Sequence, residues 1–77
     1  MAASPTLISL GYTVSNLRLA KGLSQENLAE TTGLDRSYIS RIERGAANPT
    51  FITLNKIAEG LGLTLNEFIQ LICGTDG

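Results

Sequence analysis

Residues 24–45 read SQENLAETTGLDRSYISRIERG, and the fold turns on them. Ser24 is a capping residue ahead of a short helix from Gln25 to about Thr32, with Leu28 and Ala29 facing inward and Gly33 ending it. Asp35 caps a second helix, Arg36 to Arg44, whose inward pair is Ile39 and Ile42 and whose stop is Gly45. Two short helices joined tightly at Thr32-Gly33-Leu34 have the form of a helix-turn-helix. Gly33 takes the positive φ that such a turn requires, and Leu34 plugs the space between the helices.

Outward from this pair, every segment is helical. Ser4-Pro5 is a start signal, and Leu10, Val14 and Leu17 recur at helical spacing, which predicts a first helix from Thr6 to Lys21. Gly11 weakens it. Thr50 caps a fourth helix with Leu54, Ile57, Ala58 and Leu61 on one face, and Thr64 caps a fifth. No stretch alternates with period two. The expectation is an all-α, five-helix single domain over residues 1–77, with an ordered core of about 6–73, frayed ends and the helix-turn-helix at about 24–45. Phe51 and Phe68 are both assigned to the core.

Composition narrows the chemistry. The chain of 77 residues has one cysteine and no histidine, so an internal disulfide is impossible and a zinc site would have almost no ligands. No cofactor or metal is expected. No apolar run approaches the roughly 18 residues of a membrane span, and no basic leader opens the chain, so a cytoplasmic setting fits with Cys73 an inert thiol, buried or at an interface. No phosphate loop, paired carboxylates or activated nucleophile stands out, so an enzyme is not expected.

The net charge of −1 at first argues against a nucleic-acid partner, but the charges are segregated. Residues 1–23 carry Arg18 and Lys21 and no acid; residues 35–45 carry Arg36, Arg41 and Arg44 against Asp35 and Glu43. The other five acids lie elsewhere: Glu26 and Glu30 in one stretch, and Glu59, Glu67 and Asp76 against Lys56 in another. With Ile39 and Ile42 inward, Arg36, Ser37, Ser40, Arg41 and Arg44 face solvent on the helix that such motifs lay in the major groove. Arginine can bond guanine O6 and N7 together, and serine adapts to several bases. A solvated basic helix face is the plainer reading of the same arginines, and the glycine turn favours DNA over it.

Gly22-Leu23-Ser24-Gln25, Leu28-Ala29, Gly33-Leu34, Ile39-Ser40, Ile42-Glu43-Arg44-Gly45, Asn48-Pro49-Thr50 and Leu54 to Leu61 together resemble the phage repressor and Cro-type (XRE-like) helix-turn-helix family, over about residues 7–70. Within it, Leu34 to Gly45 is most similar to controller proteins of bacterial restriction–modification systems, dimeric regulators of about this length. The resemblance implies that Arg36, Ser37, Ser40 and Arg41 read bases, and that Gln25, Tyr38, Arg44, Asn48 and Thr50 approach the DNA backbone, Gln25 also buttressing the reading helix. Ala47 departs from the basic residue that many controller-like sequences carry there. The implied partner is a pseudo-palindromic double-stranded DNA operator. A phage-type repressor, an antitoxin-type repressor or a protein-interaction module is the alternative.

Two structural expectations complete the reading. Glu43 is a liability on a DNA-facing helix, so it is assigned to an ion pair with Arg18 rather than to a cytosine contact, an assignment that the resemblance supports. Helix five is apolar nearly all round: with Phe68 and Leu71 inward, Leu65, Ile69 and Ile72 form a second stripe that a homodimer would bury.

Overall fold

A computed structural model describes residues 4–74; residues 1–3 and 75–77, expected to fray, lie outside the described residues. Five helices follow one another: α1 Pro5–Ala20, α2 Gln25–Thr32, α3 Arg36–Glu43, α4 Phe51–Gly60 and α5 Leu65–Ile72, with no strand among the described residues. Local chemistry fixes their starts. The side-chain oxygens of Ser4, Ser24, Thr50 and Thr64 each accept the backbone N–H three residues on, at 3.0 to 3.3 Å. Asn27 and Glu67 return the bond to the backbone N–H of Ser24 and Thr64, completing two capping boxes. Asp35 is the exception: it occupies the N-cap position of α3 but makes no side-chain capping bond.

α3 packs against α1 and α2, α4 against α2 and α5, and α5 also against α1. The enclosed core comprises Leu10, Val14, Leu28, Ile39, Ile42, Ile57, Ala58, Leu61, Phe68 and Ile72, with Ala29 and Ala47 at its edge. Gly11 has a packing reason that outweighs its cost to helix propensity. A Cβ there would lie 2.5 Å from the Glu43 carbonyl oxygen and 2.7 Å from that of Ile42, so α1 crosses the end of α3 backbone against backbone. This close approach sets α3 in place.

Three sequence expectations need correction. Phe68 is fully enclosed, but Phe51 is 69% exposed. Phe51 keeps the spacing of the α4 core face, yet it lies on the helix's first turn, beyond the cover of the other helices. On α5 the inward pair is Phe68 and Ile72, while Leu71 is 43% exposed. Leu65 and Ile69 are half-buried against the same core, so Leu65, Phe68, Ile69 and Ile72 form one stripe at helical spacing, on the side where α1 and α4 lie. Ile72 is therefore a core residue of the protomer, its carbonyl accepting the Ser9 hydroxyl at 2.6 Å. Finally, Cys73 is an exposed free thiol in the protomer, so of the two settings expected for it the buried one does not hold.

Candidate nucleic-acid interface

The turn between α2 and α3 is held by its own residues. Gly33 sits at φ 76° and donates its N–H to the Ala29 carbonyl at 2.8 Å. The Thr32 hydroxyl donates to the Leu28 carbonyl at 2.7 Å and accepts the Leu34 N–H at 3.2 Å. α3 leaves this turn with Ile39 and Ile42 enclosed, and the rest of its surface is left to polar and basic side chains.

Arg36, Ser37, Arg41 and Arg44 are exposed on that surface, while Ser40 and Tyr38 are half-buried. Few of them are idle. The Ser37 hydroxyl donates to Asp35 Oδ2 at 3.2 Å, and Arg44 Nη1 donates to Ser40 Oγ at 2.6 Å. The Arg41 guanidinium carbon lies 5.9 Å from the centre of the Tyr38 ring, within cation–π reach. Arg36 borders a shallow cleft with Arg18, Ser24, Gln25 and Glu26, where the starts of α2 and α3 come together.

Beneath this surface lies a polar clamp. Arg18 grips Glu43 with two parallel bonds, Nε to Oε2 at 2.7 Å and Nη2 to Oε1 at 3.0 Å. Arg18 Nη1 also donates to the Leu23 carbonyl at 2.8 Å, and Gln25 Nε2 donates to Glu43 Oε1 at 3.0 Å. One carboxylate thus ties α1 and the first turn of α2 to the last turn of α3. The side chains of Arg18 and Glu43 are only 11% and 7% exposed. The Glu43 hydrogen bonds raise the Arg18 pKa above its ordinary value; burial opposes the rise and the carboxylate's charge adds to it. With both oxygens engaged, Glu43 serves the fold and adds no free charge to the α3 surface.

Gln25 therefore touches the support of α3 directly, as a buttress would. Asn48 and Thr50 are exposed in the connection before α4, but the Thr50 hydroxyl is occupied, accepting the Thr53 N–H and donating to the Thr53 hydroxyl, both at 3.1 Å. What Thr50 offers a partner is the uncovered start of α4 rather than a free hydroxyl. Ala47 is buried, 7% exposed, and small enough to sit beneath the loop.

The profile of helix-turn-helix proteins matches residues 14–68, most of the chain. The chain belongs to the helix-turn-helix family. It is a member of the all-α, XRE-like group of DNA-binding helix-turn-helix transcriptional regulators. The control protein C.MunI of a Mycoplasma species is 46% identical over 64 residues, covering 82% of this chain and 86% of that one. The restriction–modification controller C.AhdI of Aeromonas hydrophila superposes with a TM-score of 0.78 at 44% identity, over 80% of this chain and 94% of that one. The controller C.Esp1396I superposes with a TM-score of 0.83 at 37% identity, over 91% and 90% of the two chains. Among the described residues no helix is long and apolar enough to cross a membrane, and no three His, Cys, Asp or Glu side chains come together as metal ligands.

The sequence did not reveal the engagement of Ser37 by Asp35 or of Ser40 by Arg44. The spacings, two residues across a helix start and four along a helix, permit both bonds but do not single them out from the other polar pairs on α3.

Proposed function

We propose that the protein is a dimeric controller of a restriction–modification operon in the cytoplasm, reading a pseudo-palindromic operator through α3. The observation that carries the reading is the presentation of α3. The clamp of Arg18, Glu43 and Gln25 and the backbone contact at Gly11 hold it against two helices, while Arg36, Ser37, Ser40 and Arg41 remain on its open side. A helix pinned in this way can enter a major groove without reorganising, which favours affinity. Similarity to the restriction–modification controller C.AhdI and to the control protein C.MunI supports this assignment.

Size and surface support the dimer. A protomer measuring 30 × 27 × 22 Å is small enough for two copies to sit side by side on successive major grooves, whose centres lie about 34 Å apart. Ile69 lines an apolar groove with Leu7, Leu10, Pro49 and Leu54, on which a second copy would close.

Arg36→Ala should cost about 1–3 kcal/mol on the cognate duplex and relax preference at one base pair. Asn48→Ala, which removes a backbone contact, should weaken all duplexes by a similar factor. Fluorescence anisotropy on the cognate site and its single-base variants separates the two patterns. Unchanged specific binding by Arg36→Ala would mean that α3 is not the reading element.

A further inference from the structure

The two serines on the open side of α3 are held in opposite hydrogen-bonding states. A hydroxyl has one proton to give and two lone pairs to receive. An ionised carboxylate only accepts, so the Ser37 hydroxyl, bonded to Asp35 Oδ2 at 3.2 Å, has given its proton to that bond. What Ser37 has left for a ligand is a lone pair. A guanidinium only donates, so Ser40 Oγ, bonded to Arg44 Nη1 at 2.6 Å, has accepted, and its proton stays free. Ser37 is thereby an acceptor and Ser40 a donor before any DNA arrives.

From this we infer that Asp35 and Arg44 are specificity-determining positioning residues: they fix Ser37 to read an exocyclic amino group and Ser40 to read an acceptor on the base edges. In the major groove the amino groups are adenine N6 and cytosine N4, while guanine O6 and N7 and thymine O4 are acceptors. The inference rests on α3 reading DNA as proposed above. It gives each serine a base class that a free hydroxyl, able to donate or accept, would not have. It also accounts for Asp35: the carboxylate at the N-cap of α3 makes no capping bond and is turned to Ser37 instead. Arg44 retains four further N–H donors for phosphate while one holds Ser40.

The test compares the full-length protein and its variants on duplexes carrying every base pair at the positions facing the two serines, reading ratios of affinity so that general weakening cancels. The native protein should prefer an amino-bearing base at the Ser37 position and an acceptor-bearing base at the Ser40 position, each by roughly 2- to 10-fold, the range of one neutral hydrogen bond. D35N, whose amide can donate as well as accept and still suits an N-cap, should flatten the first preference as fully as S37A does and leave the second intact. R44M should flatten the second as S40A does, while R44K, which keeps a donor, should restore it. If D35N and R44M kept preferences that S37A and S40A abolish, the serines would read bases but nothing would preset them. Loss of preference with D35N but not with S37A would make the carboxylate itself the reader and overturn the inference as well. Preferences untouched by S37A and S40A would remove both serines from base reading, so the inference would fall together with the part of the functional reading that rests on them.

Discussion

Arg18→Ala should destabilise the fold by about 1–3 kcal/mol, the cost of leaving a mostly enclosed polar group without its partner and a sizeable part of what a domain of this size has. The loss comes less from the attraction removed than from what stays behind. Glu43, 7% exposed at its side chain, would keep only the Gln25 amide, and the Leu23 carbonyl would lose its guanidinium partner. A buried carboxylate stripped of its cation either stays charged at a desolvation cost or takes up a proton. Because Glu43 belongs to the last turn of α3, the reading helix should loosen before the rest of the core. Urea unfolding measures the loss, and the paired change Arg18→Met with Glu43→Leu should recover much of it, since no orphan charge remains. The raised Arg18 pKa sets the pH window. A cation stabilised by folding contributes fully below its unfolded pKa and fades only as pH rises through the folded one, here above the ordinary arginine range, so neutral-pH measurements see the full effect. A loss under about 1 kcal/mol, the value of an exposed pair, would show that the clamp is not structural.

Ile69→Glu is expected to yield a monomer whose operator affinity falls roughly 10²-fold or more, because each α3 must then bind without the linkage to its copy. Ile69 is half-buried on the floor of the apolar groove, so its replacement also touches the protomer's packing. Cys73→Glu separates the two effects: Cys73 is exposed and lines the same groove, so a charge there opposes a second copy without entering the core. Sedimentation of both variants should give monomers, with helix content retained at least in Cys73→Glu. A native protein that sediments as a monomer at tens of micromolar, or a Cys73→Glu that remains a full-affinity dimer, would remove this groove from the assembly.

The sequence made most of the fold legible because helix starts are written locally. Ser4, Ser24, Thr50 and Thr64 cap the N–H three residues on, and the glycine turn at Gly33 depends on no distant partner. The facing of α5 was not legible in the same way. Leu65, Phe68, Ile69, Leu71 and Ile72 are chemically alike, both Leu71 and Ile72 fall in helical register with Phe68, and only the positions of α1 and α4 decide between them. Phe51 departs from expectation for a related reason: apolar character and spacing say which face a residue shares, not whether another helix reaches that far along it. Gly11 carried a signal that propensity alone reads as a defect, and its meaning depends on the Ile42 and Glu43 carbonyls brought against it from thirty-odd residues away along the chain.

The candidate interface divides in the same manner. The α3 residues could be named from periodicity, since inward Ile39 and Ile42 leave Arg36, Ser37, Ser40 and Arg41 outward. The long-range contact of Arg18 with Glu43 is legible through charge logic and resemblance, and the structure adds Gln25 and the Leu23 carbonyl to it. The bonds that tie Ser37 and Ser40 are not legible in the sequence, because rotamers rather than spacing choose among several polar neighbours.

If α3 reads DNA as one of a symmetric pair, selection from a pool of randomised duplexes will reveal it. Binding should depend steeply on salt, as phosphate neutralisation requires, and the enriched sequences should converge on a pseudo-palindrome with half-sites about one helical turn apart. A pool that yields no enriched sequence, with little binding at either low or high salt, would contradict the account.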